Sequence, residues 1–420
     1  MEGLYIDGGR PLTGTVEISG AKNAALPILA ATMIHGGVYT IHRCPDIADV
    51  ALAGEIIETL GGRVERRGGS LVVDTREARG DAIPGALMGK MRASVLFLGA
   101  LLARFGRAAL TAPGGCPLGR RPIDLHLDAM ARLGASVVLQ EGAIFCEAPC
   151  LHGAVIELLF PSVGATENVL LAAVGCKGTV VLQNAAQEPE IADLIGFLQA
   201  MGAEIAGTGT DTLTIRGGAP LRETTYTVMP DRIEAATFLC ACAGCGGEIL
   251  LSGADGRHLG PVLDALTDAG CRVCRGRDTV TLQTQGRLRA VREIETAPYP
   301  GFPTDVQAPM MAALLRAEGE SRFSETIFEK RFAHVAQLRR FGAEIEVVGA
   351  GARVRGVAAL EPARVEGTDL RGAAALVIAA LQAPGRSLVL GLGHLRRGYD
   401  HLEEKLRALG ANVAVKPVES

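Results

Sequence analysis

Amphipathic helical stretches recur along this chain, and each ends in the same five-residue signature: apolar, Gly, small, any residue, apolar. It reads Leu60-Gly61-Gly62-Arg63-Val64, then Leu133-Gly134-Ala135-Ser136-Val137, then Met201-Gly202-Ala203-Glu204-Ile205. It returns as Ala269-Gly270-Cys271-Arg272-Val273, Phe341-Gly342-Ala343-Glu344-Ile345 and Leu409-Gly410-Ala411-Asn412-Val413. The glycines are spaced by 73, 68, 68, 72 and 68 residues, so the chain holds six units of about 70 residues. The physical reading is a helix stop. Glycine takes the left-handed conformation that ends a helix, and an apolar strand follows.

Each unit also holds an earlier helix rich in Ala and small residues: 24–31, 93–102, 168–173, 234–241, 308–315 and 373–381. A glycine and then a strand follow each, at Gly37, Gly106, Gly178, Gly247, Gly319 and Gly385. A unit is therefore predicted to run helix, strand, helix, strand, strand. The first helix is apolar nearly all round and should be buried; the second, as in Asp193, Leu194, Phe197 and Leu198, should lie nearer the surface. Solenoid repeats are usually shorter, ~20–45 residues. Six longer α/β units predict two closed domains of three. The crossings fall near Gly20-Ala21-Lys22 and near Thr227 to Asp231, giving one domain over 22–229 and a second over 1–21 plus 230–420. The first 20 residues read as a hairpin (Leu4 to Asp7, Thr15 to Ser19) that completes the second domain.

Composition narrows the function. Hydrophobic residues make up 48% of 420 residues, ample for large cores, and with 4% aromatics and no Trp those cores must be aliphatic. The net charge of -4 weighs against a nucleic-acid binder. The N-terminus has no basic flank and no apolar run like a signal peptide, and apolar stretches such as Ala373 to Leu381 fall short of the ~20 residues a bilayer span takes. A cytoplasmic protein with free thiols is expected.

Cations stand where four of the six buried helices begin: Lys22-Asn23, Met91-Arg92, Asp231-Arg232 and Asp369-Leu370-Arg371, with Ser162-Val163-Gly164-Ala165-Thr166 and Thr304-Asp305 at the other two. Asp, Ser and Thr are favoured caps. Capping does not explain Lys22, Arg92, Arg232 or Arg371, which oppose the helix dipole. Two readings account for them: a bound anion, phosphate or carboxylate, or an internal ion pair such as Asp369 with Arg371.

A second concentration is Pro113-Gly-Gly-Cys116-Pro-Leu-Gly-Arg-Arg-Pro122, a loop by its three Gly and three Pro. A Cys beside two Arg has a stabilised thiolate and can serve as nucleophile or general acid; a surface loop with an incidental thiol is the plain alternative. The pairs Cys242/Cys245 and Cys271/Cys274 have zinc-like spacing. They stand at the end of a buried helix and in the repeat signature, so they are read as small buried hydrophobes. His126, two residues after Asp124, either orients the cysteine loop or packs with a hydrogen bond. The chain has no GxxxxGK[ST] phosphate loop.

A series of segments then carries a resemblance. They are Ser19-Gly-Ala-Lys-Asn-Ala-Ala-Leu-Pro27, Pro113-Gly-Gly-Cys116, Arg121-Pro-Ile-Asp-Leu-His126, Ser162-Val-Gly-Ala-Thr-Glu-Asn168, Asn184-Ala-Ala and Glu188-Pro-Glu190. They continue with Pro230-Asp-Arg-Ile-Glu234, Phe302-Pro-Thr-Asp305, Thr368-Asp-Leu-Arg371, Arg397-Gly-Tyr399 and Leu406 to Asn412. In this order and at these spacings the chain resembles, over essentially its full length, the UDP-N-acetylglucosamine 1-carboxyvinyltransferases, which are enolpyruvyl transferases.

The resemblance implies two inside-out α/β barrels closing on a cleft. It also implies transfer of the enolpyruvyl group of phosphoenolpyruvate to the 3-hydroxyl of UDP-N-acetylglucosamine, with no metal or organic cofactor and no nucleic-acid or membrane partner. In the family pattern, Cys116 matches the proton donor to the methylene carbon, the residue fosfomycin alkylates. Asp305 matches the carboxylate at the sugar 3-hydroxyl, as base or as binding group. Lys22, Arg121 and Arg397 match the cations that hold phosphate and carboxylate. Asn23, Arg92 and Arg371 match substrate-binding positions. Arg121, Pro122, Ile123, Asp124 and Leu125, with Ser162, Val163 and Gly164, match the segments around uridine and diphosphate. Ile327 matches a position near the sugar. Pro117 and Arg120 depart from the small residues common in the family, which bears on loop motion and thiol acidity. The alternatives are an enolpyruvyl transferase with a different acceptor and a non-catalytic nucleotide-sugar-binding regulator.

Overall fold

A computed structural model describes residues 2–111, 123–284 and 286–418. All six signature glycines end a helix as the sequence predicts. Gly61, Gly134, Gly202, Gly270, Gly342 and Gly410 have φ of 92°, 98°, 111°, 100°, 82° and 82°, the left-handed region where a side chain is strained. The next strand starts within two residues of each, as Arg63–Arg67 does after Ala48–Thr59 and Gly61.

Each unit contributes one sheet, and the sheets share a pattern. In the first, Ser70–Asp74 lies between Val38–His42 and Arg63–Arg67, antiparallel to both. A short strand then adds in parallel to the free edge of the unit's first strand: Thr225–Thr227 beside Val38–His42, Val155–Glu157 beside Gly178–Gln183, and Ile294–Glu295 beside Glu320–Ser324. Arg364–Glu366 takes the same place beside Gly385–Leu390. Four of the six sheets thus carry one short strand more than the expected helix, strand, helix, strand, strand; among the described residues the sheet of Arg107–Thr111, Ala143–Glu147 and Ser136–Gln140 has three strands. At two or three residues these edge strands are too short to show alternation; only pairing reveals them.

The expected N-terminal hairpin is corrected. Glu2–Gly8 and Leu12–Glu17 do not pair with each other. Glu2–Gly8 sits antiparallel between Gly385–Leu390 and Asn412–Pro417, and Leu12–Glu17 adds in parallel to Gly247–Ser252. The sixth unit has only one strand after its second helix, so its sheet lacks the central strand that the other units supply for themselves. Glu2–Gly8 satisfies both rows of backbone groups there, burying Leu4 and Ile6. A local hairpin would leave two sheets short.

The described residues form two compact units, 2–19 with 230–418 and 20–111 with 123–229. In the first, the helices Arg232–Cys245, Thr304–Ala313 and Leu370–Gln382 pack on one another, and every residue from Arg371 to Gln382 is buried. Sheets surround them with one face inward, as the alternating burial of Thr279–Thr284 shows. Helices inside and sheets outside make this an inside-out α/β barrel. In the second unit, Phe97–Phe105 packs on both Lys22–Ala31 and Val163–Ala173 in the same manner. Ala-rich faces such as Ala373-Ala374-Ala375 let buried helices approach closely, while Phe97 and Phe238 on those helices add buried aromatic bulk to the two cores. Among the described residues, no helix is long and apolar enough to cross a membrane.

Candidate active site

The charged residues at the helix starts are where the sequence places them. Lys22 is the first residue of Lys22–Ala31, Arg92 opens the 3-10 turn Arg92–Leu96 before Phe97–Phe105, and Arg371 is the second residue of Leu370–Gln382. Lys22 Nζ lies 2.7 Å from Asp49 Oδ2, and the two side chains are 12% and 4% exposed. Asp49 is in the first turn of Ala48–Thr59, where a carboxylate meets the positive end of the helix. Lys22 therefore has an internal counter-ion. Arg371 has one too, because its Nη2 donates to Asp305 Oδ2 at 3.4 Å.

Asp305 is the centre of the charged cluster in the unit that ends at 418. It occupies the first turn of Thr304–Ala313, and Arg331 Nη2 donates to its Oδ1 at 2.9 Å. With Arg371 on Oδ2, a guanidinium addresses each oxygen. Arg331 also donates through Nε and Nη2 to the carbonyl of Thr304, at 3.2 and 2.9 Å. Behind this stands Glu325, which is buried. Its carboxylate accepts from Thr304 Oγ1 at 3.1 and 3.0 Å, from the Ile327 amide at 2.9 Å and from the Phe328 amide at 3.0 Å. One acid thus ties the Ile327 segment to the start of the helix that carries Asp305. The arrangement fixes where both carboxylate oxygens of Asp305 point.

Arg371 is held from behind. Asp369 caps its helix, accepting from the Arg371 and Gly372 amides at 3.1 and 2.9 Å. The guanidinium carbon lies 5.4 Å from the centre of the Tyr399 ring. Tyr399 follows two residues after Arg397, which is half-buried. The buried His334 donates through Nδ1 to the Arg331 carbonyl at 3.1 Å, and burial pushes its pKa down to about 4 against the pull of Asp369.

In the other unit, Ser162 caps Val163–Ala173 by accepting from the Ala165 amide at 3.4 Å. Val163 and Gly164 form the helix start, and His126 packs close to Gly164, so that a Cβ there would meet its ring at 3.0 Å. His126 Nδ1 accepts from Asn168 Nδ2 at 2.7 Å, which leaves the proton on Nε2. Asn168 is saturated by Val95 O and the Gly99 amide, at 3.0 and 2.8 Å. His126 is packed and hydrogen-bonded; the other role weighed for it, orienting the cysteine loop, falls on residues outside those described. Burial, and then the nearby Arg92, push its pKa down to about 4. Ile123 precedes Asp124–Arg132, Asp124 is exposed and Leu125 half-buried at its start. Asn23 is half-buried at the start of Lys22–Ala31.

Cys116, Arg121 and Pro122, with Pro117 and Arg120, lie outside the described residues. Cys242 and Cys271 are buried, and burial pushes their thiols up to about 12 and about 11. Cys274, expected as a buried hydrophobe, is exposed on Arg272–Arg275, because alternation along the strand turns it outward.

Four residues in these networks were not singled out from the sequence: Asp49, Asn168, Glu325 and Arg331. Arg331 sits in the run Glu329-Lys330-Arg331, which reads as a solvated turn. Asp49 and Glu325 look like ordinary surface acids. Asn168 gave the one usable signal, a polar residue inside an apolar helix.

The family model for EPSP synthase (3-phosphoshikimate 1-carboxyvinyltransferase) matches residues 6–406. The chain belongs to the EPSP synthase family. Within that family it is 46% identical over 413 residues to UDP-N-acetylglucosamine 1-carboxyvinyltransferase 2 of Caldanaerobacter subterraneus, covering 98% of this chain and 99% of the relative. It is 44% identical over 418 residues to the UDP-N-acetylglucosamine 1-carboxyvinyltransferase of Halorhodospira halophila, covering 99% and 100%. Among solved structures, the enolpyruvyl transferase NikO of Streptomyces tendae superposes with a TM-score of 0.90 at 30% identity, over 100% of this chain and 99% of that one. An EPSP synthase of Acinetobacter baumannii, at 17% identity and a TM-score of 0.76, shares the EPSP synthase family fold.

Proposed function

We propose that this chain transfers the enolpyruvyl group of phosphoenolpyruvate to the 3-hydroxyl of UDP-N-acetylglucosamine and releases phosphate, the first committed step of peptidoglycan precursor synthesis, in the cytoplasm. The observation that carries the reading is the end-to-end similarity to UDP-N-acetylglucosamine 1-carboxyvinyltransferases, at 44% to 46% identity, and the resemblance that matches Cys116, Asp305, Lys22 and Arg397 to the family's site residues agrees with it.

The reaction is an addition followed by an elimination. The Cys116 thiol gives its proton to the methylene carbon of phosphoenolpyruvate, while the sugar 3-hydroxyl oxygen bonds to the adjacent carbon and its proton passes to Asp305. The tetrahedral ketal then loses a proton from the methyl carbon, which returns to the Cys116 thiolate, and phosphate from the adjacent carbon, which leaves with the proton held on Asp305, restoring the double bond and both side chains. The clamp on Asp305 supports this role, since Arg331 and Arg371 fix where its oxygens point. Lys22, Arg121 and Arg397 balance the charge on phosphate and carboxylate, an effect that counts only if they are prepositioned. Asn23, Arg92, Ile123, Asp124, Leu125, Ser162, Val163, Gly164, Ile327 and Arg371 complete the substrate contacts, with Pro122 shaping the uridine segment.

The test mixes purified protein with both substrates and follows phosphate release, with Cys116→Ser alongside. Release that needs both substrates and falls in the variant by about a hundredfold or more, the scale of a lost general acid, is expected. Release that survives in the variant would move the proton donor elsewhere. A parent that binds UDP-N-acetylglucosamine without releasing phosphate would favour a different acceptor or a regulatory binder.

A further inference from the structure

The segment after Arg397 is tied down by a network of which neither the fold nor the chemistry above makes use. Lys405 Nζ donates to Glu234 Oε1 and to Ser19 Oγ, both at 2.6 Å. Glu234 Oε2 accepts from the Ser19 amide at 2.8 Å, and Ser19 Oγ donates to Asp400 Oδ2 at 2.9 Å. The Ser19 carbonyl accepts from the Asp231 amide at 2.9 Å. Every polar group of Ser19 is thereby bonded within the unit that holds 230–418. Glu234 and Lys405 side chains are 3% and 16% exposed.

Glu234 has a neighbour one turn along the same helix, Thr237, whose hydroxyl lies 2.9 Å from the Tyr399 hydroxyl. One helix therefore anchors the stretch after Arg397 twice: at Tyr399 through Thr237, and at Asp400 and Lys405 through Glu234 and Ser19. A buried ion pair adds little net stability compared with an apolar pair of the same size. What it does supply is fixed distances.

We propose that Glu234 and Lys405 are positioning residues for Arg397, acting through Ser19 and Asp400; this rests on the proposed role of Arg397 as a cation for the phosphate and carboxylate of phosphoenolpyruvate. Asp400 is three residues from Arg397 and Tyr399 two, so a shift at either anchor is passed on to the guanidinium with little chain to absorb it. Placement errors of ~1 Å at a catalytic group cost up to about a hundredfold in rate.

Ser19→Ala tests this mildly. It removes the hydroxyl that joins Lys405 to Asp400 and leaves the Ser19 amide and the Glu234–Lys405 pair in place. We expect kcat/KM for phosphoenolpyruvate to fall about tenfold, with KM for UDP-N-acetylglucosamine nearly unchanged and the melting temperature close to that of the parent. Lys405→Met should show the same split. In an Arg397→Ala background, Ser19→Ala should add no further loss, because the residue it positions is gone. Multiplicative losses in the two backgrounds, equal effects on both substrates, or full activity in Ser19→Ala would overturn the proposal. A parent without substrate-dependent phosphate release would instead sink the functional reading itself. If Lys405→Met does not fold, Ser19→Ala alone decides.

Discussion

Arg331 grips Asp305 and the backbone that carries it. The same guanidinium donates to Asp305 Oδ1 at 2.9 Å and to the Thr304 carbonyl at 2.9 Å, and its own side chain is only 3% exposed. A planar fork with several donors can do both at once; a lysine ammonium of similar reach cannot match that geometry.

Arg331→Ala should therefore damage stability and activity together. It removes the Arg331 donor from the Thr304 carbonyl and from Asp305, a loss of about 3 kcal/mol, at the low end for a broken buried pair because Asp305 is itself 30% exposed. Arg331→Lys should recover much of the melting temperature while kcat stays depressed by about tenfold or more. Denaturation curves and steady-state kinetics on the two variants check this. Equal recovery of both properties by lysine would show that charge alone matters.

His126 makes a pH prediction. Its folded pKa, about 4, lies below the ordinary histidine value of 6.5, so between these values the unfolded chain binds a proton that the folded chain does not. Its contribution is complete above pH 6.5 and is lost as pH falls towards 4, at about 3 kcal/mol in all. His334 is depressed in the same direction and adds a second proton to the slope. Burial raises Asp193 to about 6 and Glu234 to about 7, and these carboxyls act with the opposite sign in the same window, so the measurable quantity is a difference: between pH 5 and 7, His126→Gln should lose about one proton of pH dependence in stability against urea relative to the parent. An unchanged slope in the variant would rule His126 out as the source.

The signature glycines should not all be equally sensitive. A Cβ at Gly410 would meet nothing within 4 Å, so Gly410→Ala should cost only the strain of a left-handed alanine, about 1–2 kcal/mol. A Cβ at Gly202 would stand 2.8 Å from the Pro220 carbonyl oxygen, and backbone must move to admit it. Gly202→Ala should cost about 3 kcal/mol or more. Melting temperatures of the two variants, measured side by side, test the order.

Much of the architecture was legible without coordinates because the signals are local. A helix stop is decided within four or five residues by the φ angle a glycine allows, so Gly61 through Gly410 announced six units. A helix with no polar face, such as Leu370–Gln382, must be buried whatever surrounds it. The cations that open several of those helices were visible for the same reason: Lys22, Arg92, Arg232 and Arg371 interrupt otherwise apolar runs and oppose the dipole.

What the sequence by itself determined, then, is the repeat, the buried helices and the residues that bear charge at their starts. The tertiary structure alone decided who meets whom. Asp305 finds Arg331 across 26 residues and Arg371 across 66, and Ser19 finds Lys405 across 386. No periodicity encodes such partners, because they depend on how separate units pack. Glu2–Gly8 and Leu12–Glu17 make the same point: each strand alternates as a hairpin arm would, and only the vacant positions in two distant sheets, with backbone groups to be satisfied, determine that they part.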